Sequence, residues 1–283
     1  MSIAVGEKLD FKNPPYNKLR LNVYPMKLIK RKLKMVETKI IETEIDYFQK
    51  NLPFVDLVTT YQGEGPNCGK RMTLVRFKYC NKACPFCDTQ KMMKDVAEEK
   101  YSLKDVALHL NNSNGLMITG GEPTLSNQRN DNCLTNFHAT ITMLRELNYQ
   151  WADVETNGFQ LEELLTEIDT MNPRNGINVS WSPKFISKFD YKTNISNAEL
   201  VYKTKIHRIK PILKLVISKE DNEYKKFLYD VVNYKIIPTA YIYLMPLGVS
   251  YDEINDSMDE CLKISSELSC NISSRLQILH KFP

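Results

Sequence analysis

This sequence predicts an α/β fold built on a parallel sheet, and three observations carry the prediction. Six short apolar runs, MTLVRFKY (72–79), LMIT (116–119), ADVET (152–156), INVSW (177–181), ILKLVIS (212–218) and YIYLM (241–245), are separated by stretches of helical period. Most of these runs end in a polar or glycine-rich tip. The 283 residues, 42% of them hydrophobic, are enough to bury one sizeable core. Strands alternating with helices imply parallel pairing and right-handed crossovers, in either a doubly wound open sheet or a partial barrel.

The elements follow in order. Residues 1–50 read as an N-terminal extension, broken by Pro14, Pro15 and Pro25 and carrying the basic run Lys27, Lys30, Arg31, Lys32 and Lys34. Such a run is most often the solvated face of an amphipathic element. Alternation around Val36, Thr38 and Ile40 hints at an edge strand or hairpin. Residues 51–283 form the core domain. Helices are expected near 102–112, 133–148, 160–169, 220–233 and 252–268. In the fourth of these, Tyr224, Phe227, Leu228 and Val231 share one face. The run RLQILH (275–280) predicts a seventh strand. A net charge of +4 gives no argument for direct nucleic-acid binding. The opening residues lack a signal pattern, and no apolar run reaches membrane-spanning length. Seven cysteines, three of them clustered, point away from a secreted disulfide framework and toward the reducing cytoplasm.

The cluster is Cys80, Cys84 and Cys87, spaced C-x3-C-x2-C directly after the first run. Three thiolates so placed can hold three irons of a [4Fe-4S] cube and leave the fourth iron open to a small molecule. The alternative is a zinc knuckle with a distant fourth ligand, such as Cys68 or one of the four histidines. Ligands of parallel sheets bind at the carboxyl ends of strands. The other strand tips, Thr119-Gly120-Gly121-Glu122-Pro123, Glu155-Thr156-Asn157-Gly158, Ser182-Pro183-Lys184 and Met245-Pro246-Leu247-Gly248, therefore share one rim with the cysteine loop. Ser182 and Lys184 flank a rigid proline and can hold a carboxylate or ribose hydroxyls; alone, the motif is equally an exposed loop. Glu122 is a candidate acceptor for nearby backbone amides. Thr89 can join substrate oxygens around Mg2+, or can cap a helix. Glu64, in the turn Tyr61-Gln62-Gly63-Glu64-Gly65-Pro66, can accept paired hydrogen bonds from an amidine-like edge such as that of a pterin. Arg76 offers a fork for a carboxylate within an apolar strand, where a surface ion pair is its ordinary alternative.

C-x3-C-x2-C is the signature of the radical S-adenosylmethionine (SAM) superfamily, which the chain resembles at this point. The resemblance narrows with QGEG, Arg76, C-x3-C-x2-C-D-T, TGGEP, ETNG, SPK, Leu213-Lys214, LMP and a terminal LQ-x-x-HK, in that order. Together these are similar to the 7-carboxy-7-deazaguanine synthase family, over roughly residues 55–283. The resemblance implies a partial (β/α)6 radical SAM barrel, a homodimer, and a flavodoxin-like external electron donor. It also implies conversion of 6-carboxy-5,6,7,8-tetrahydropterin to 7-carboxy-7-deazaguanine with loss of ammonia, through a 5′-deoxyadenosyl radical that takes hydrogen from C6 and returns it. By motif, SAM contacts fall at Phe86, Cys87, Asp88, Gly120, Gly121, Glu155, Ser182, Pro183, Lys184 and the strand end Tyr243, Leu244, Met245 and Pro246. Substrate contacts fall at Tyr61, Gln62, Gly63, Glu64, Arg76, Thr119, His280 and the terminal Pro283, and Mg2+ falls at Thr89. The segment after HK is shorter than the family pattern, and His280 is equally a hydrogen-bonded strand histidine. The competing readings are another radical SAM enzyme, such as a glycyl-radical activase, and a zinc-stabilised binding module.

Overall fold

The computed structural model describes residues 52–87, 89, 101–127, 134–171, 173, 175–203, 207–220 and 222–281. The expectations for residues 1–50, Asp88 and Pro283 lie outside these. One eight-stranded sheet runs through the described chain: β1 (Phe54–Tyr61), β2 (Arg71–Phe77), β3 (Gly115–Thr119), β4 (Trp151–Thr156), β5 (Gly176–Trp181), β6 (Ile212–Ile217), β7 (Ile242–Pro246) and β8 (Asn271–Ile272). Its helices are α1 (Leu103–Leu110), α2 (Asn136–Glu146), α3 (Leu161–Met171), α4 (Asp190–Ala198), α5 (Asn222–Asn233), α6 (Tyr251–Leu268) and α7 (Leu276–Leu279).

Strand order decides between the two architectures the pattern left open. The strands lie side by side in chain order, β1 to β8, antiparallel between β1 and β2 and parallel thereafter. A doubly wound sheet reverses its order and puts helices on both faces. Here the order never reverses, so crossovers of one hand keep the helices on one side and curl the other face inward. β1 and β8 do not pair with each other, so the barrel is partial. It matches the expected six parallel strands, β2 to β7, with β8 added at one edge.

The two faces differ in chemistry. The helix-facing side is one continuous core in which Phe54, Phe77, Trp181 and Phe227 are fully buried. The concave side holds a second, smaller buried apolar cluster of Met72, Leu74 and Met117. Because side chains alternate along a strand, β2 sends Val75 and Phe77 to the helices and Met72, Leu74 and Arg76 inward. Local signals fix the helix starts. Ser102 and Asp105 form a reciprocal capping box at α1, while Thr135 and Ser250 cap α2 and α6. α5 buries Tyr224, Phe227, Leu228 and Val231, the face its spacing predicts.

Three departures have physical causes. FVDLVTTY (54–61) forms β1, an edge strand whose mixed burial blurs its alternation. DYKTNISNA (190–198) forms α4, hard to see because only Asp190, Asn194 and Ala198 are buried on it. RLQILH is not a strand: β8 ends at Ile272, and the chain turns into the single helical turn α7. A short apolar run has no period of its own, and here the turn is set by Arg275 and Gln277, both bonded to Glu64.

Candidate active site

The concave face opens at the carboxyl ends of the strands into a cavity of about 540 Å³, within the size range of small-molecule sites. The Gln62–Glu64 turn, α7 and the tips of β2 to β7 line it.

One end is a closed charge cage around Glu64. Lys214 on β6 donates to Glu64 Oε2 at 2.6 Å and also to Glu155 on β4. Arg275 Nε and Gln277 Nε2 reach Glu64 Oε1 at 3.4 and 2.6 Å. Burial alone would raise the Glu64 pKa, but the Lys214 and Arg275 charges outweigh it and hold the carboxyl at about 2. Burial likewise opposes charge on Lys214, yet Glu155 and Glu64 keep it protonated, its pKa raised. Glu155 is pushed up, first by burial and then by the neighbouring Glu64, against the pull of Lys214. Gly63 exists to let this cage close: any Cβ there would run into the Gln277 side chain. Gln62 braces the turn from behind, donating to Asp153 Oδ2 at 2.8 Å.

The other end is the cysteine loop. Cys80, Cys84 and Cys87 are half-buried free thiols lining the same space, with Phe86 beside them. Burial pushes the Cys80 thiol up to about 11 and raises Cys84, so metal loading must expel protons. Among the described residues, no three His, Cys, Asp or Glu side chains converge on one ion. A cube that takes one thiolate per iron needs only three thiols around a common space, and this donor set fits it. The loop is pinned at its start and near Cys80. Tyr79 O accepts from the Glu122 amide and from Asn136 Nδ2, and Lys82 meets Asp190 Oδ1 at 2.6 Å. Glu122 is the structural acceptor the sequence allowed, bonded to Thr124, Thr156 and the Asn157 amide. Gly120 and Gly121 both have positive φ, and a Cβ on Gly121 would strike the Tyr79 carbonyl.

Arg76, Thr89, Thr119, Ser182 and Lys184 line the same cavity. Arg76 Nη1 donates to Thr89 Oγ1 at 3.3 Å, and Arg76 Nε lies 3.5 Å from Asp56. Thr119 Oγ1 donates to Glu155 at 3.1 Å, and Lys184 Nζ to Ser182 Oγ at 2.9 Å.

The cavity thus gathers Tyr61, Gln62, Gly63, Glu64, Arg76, Thr89, Thr119, Gly120, Gly121, Glu155, Ser182, Lys184, Phe86, Met245 and the three cysteines. Pro183, Tyr243, Leu244 and Pro246 do not line it; Leu244 faces the helix-side core, as alternation after Met245 requires. His280 is exposed at the end of α7, and its place on the wall is taken by Gln277 and Ile278. Lys214, Arg275 and Gln277 were missed as site residues. Two carried a signal: Lys214, as a lysine inside the apolar run ILKLVIS, and Gln277, as part of the LQ-x-x-HK motif; Arg275 carried none.

A family model described as a 4Fe-4S single cluster domain matches residues 61–201. The 7-carboxy-7-deazaguanine synthase of Clostridium acetobutylicum is 26% identical over 218 residues, 74% of this chain and 89% of that protein. The synthase of Hyperthermus butylicus is 24% identical over 243 residues, covering 82% and 94%. That of Bacillus subtilis is 28% identical over 227 residues, covering 75% and 82%. The crystal structure of QueE from Escherichia coli overlays 82% of this chain and 97% of that one at a TM-score of 0.49 and 15% identity, too loose a likeness to add to the fold described above. A partial barrel with a three-thiol loop at its open rim and a matching cluster model defines a radical SAM enzyme, whose cofactors are a [4Fe-4S] cluster and SAM. Within that class, the chain is similar to 7-carboxy-7-deazaguanine synthases over about three quarters or more of its length. No helix among the described residues is long and apolar enough to cross a membrane.

Proposed function

We propose that this chain converts 6-carboxy-5,6,7,8-tetrahydropterin to 7-carboxy-7-deazaguanine with loss of ammonia, in the cytoplasm. The observation that carries the reading is Glu64: a carboxylate held ionised at the closed end of a cavity whose other end is the cysteine loop. A pterin carries an amidine edge at one end and, in this substrate, a carboxylate at the other. Glu64 accepts from the amidine edge, and Arg76, nearer the cysteines in sequence and bonded to Thr89, pairs with the carboxylate. The substrate then lies along the cavity with its reacting carbon toward the cluster end.

Cys80, Cys84 and Cys87 hold the cluster, which when loaded supplies the electron that cleaves SAM. The protein's own part is position and exclusion of water. The Gly120–Gly121 backbone meets the SAM amino group, and Ser182 and Lys184 hold its carboxylate or ribose. Met72, Leu74 and Met117 form a dry floor. Thr89, on the cavity wall, would offer a hydroxyl to Mg2+ when it is bound, and Mg2+ takes few protein ligands. The activase reading does not account for an acidic cage at the end of a small cavity.

Anaerobic reconstitution with iron and sulfide, then incubation with SAM, dithionite, Mg2+ and the pterin, tests this directly. Appearance of 7-carboxy-7-deazaguanine by mass supports the reading, and SAM cleavage without it contradicts it. We also propose a homodimer, which sedimentation at the mass of one chain would refute. A flavodoxin-like donor is proposed as the reductant, to be tested by replacing dithionite with reduced flavodoxin.

A further inference from the structure

Glu64 has more donors than a substrate-binding carboxylate can spare. An ionised carboxylate offers about four acceptor sites, and Lys214, Arg275 and Gln277 already use three. A bidentate amidine edge needs two. Gln277 is neutral and can leave without stranding a charge; of the two cations, Lys214 alone has a second carboxylate in hand, Glu155, and can release its site on Glu64 while staying paired. We propose that Lys214 is the positioning residue of this site: its ammonium sits between Glu64 and Glu155, offsets their negative charge, and moves fully onto Glu155 when the substrate's amidine edge docks on Glu64. The inference rests on the pterin reading above and goes beyond it in naming how the pocket is kept charged and vacated.

The geometry supports the role. Lys214 is 3% exposed, so no solvent can replace it as a counter-ion. Glu64 comes from the β1–β2 turn and Glu155 from β4, so the ammonium ties two separate elements together, and Glu155 is tied in turn to Thr119. The charged groups around it are Glu64, Glu155 and Asp153, with Arg275 from the segment before α7; Arg76 and Lys184 line the same cavity. Without the ammonium, Glu64 and Glu155 would face each other in a buried space and share a proton, because two adjacent buried carboxylates do not both ionise. Arg275 would remain as the single cation on Glu64.

The test is equilibrium binding of 6-carboxypterin, the oxidised non-reacting analogue, to reconstituted protein. Its fluorescence is followed from about pH 5.5 to 7.5, with each variant compared with wild type at the same pH so that the ligand's own ionisation cancels. Lys214→Met is expected to weaken binding on the order of tenfold to a hundredfold, the loss of one charge-assisted hydrogen-bond network. That loss should shrink as pH rises and the shared proton leaves. Lys214→Arg should recover most of the affinity. Adding Glu155→Gln to Lys214→Met removes the competing carboxylate and should restore a flat profile within about threefold of Glu155→Gln alone. That pair of variants carries the test if Lys214→Met does not fold. Wild-type affinity and pH profile in Lys214→Met would overturn the inference, and so would a double variant bound tenfold more weakly than Glu155→Gln. A wild-type chain that binds no 6-carboxypterin would instead sink the pterin reading itself.

Discussion

The two ends of the cavity are built on opposite principles. At the Glu64 end every charge is buried and answered: Glu64 by Lys214, Arg275 and Gln277, and Lys214 by Glu64 and Glu155. At the cysteine end the thiols are half-exposed on a loop anchored by the Tyr79 carbonyl before it and Lys82 within it. A pre-formed cage suits a ligand recognised by fixed hydrogen bonds, whereas a loop of thiols acquires its geometry from the metal it binds. The two ends should therefore fail separately.

Cys84→Ala separates them most sharply. Two thiolates do not hold a cube, so SAM cleavage under dithionite should fall to background and bound iron should be lost. Affinity for 6-carboxypterin should stay within about twofold of wild type, because the cage is untouched. Glu64→Gln is the converse. It leaves Lys214 and Arg275 short of a buried partner, and urea unfolding should report a loss of about 3 kcal/mol. The substrate KM should rise at least about a hundredfold while basal SAM cleavage persists. Arg76→Lys should raise the substrate KM about tenfold, since a point charge loses the fork, with SAM cleavage unchanged. An unaltered KM would place Arg76 outside the substrate site. Gly63→Ala is the mildest: the new methyl displaces the flexible end of Gln277 and comes to 3.0 Å from its backbone nitrogen, so one hydrogen bond to Glu64 is lost, at about 1 kcal/mol or somewhat more and a few-fold in KM.

The same contrast explains what was legible in the sequence. The cysteine end is local: Cys80, Cys84 and Cys87 lie within eight residues, and TGGEP and SPK each sit on one strand tip, so spacing alone displays them. The parallel strands were equally plain, because strands buried on both faces read as unbroken apolar runs. The cage is assembled across the chain. Glu64 meets Lys214 at a separation of 150 residues and Gln277 at 213, and no spacing rule reaches so far. Arg275 and Gln277 were further hidden because RLQILH alternates like a strand while forming α7. β1 and α4, at an edge and on a largely polar surface, lacked a clean apolar face for the same kind of reason: tertiary position, and not local propensity, decides them.

The central claim is that cluster, SAM and pterin share one cavity, with the pterin's reacting carbon beside the SAM. Substrate carrying deuterium at C6 tests it in a single anaerobic incubation followed by mass analysis of the recovered SAM and its fragments. The account predicts deuterium on the 5′-carbon. SAM cleaved without any transferred deuterium, in the presence of bound substrate, would contradict it.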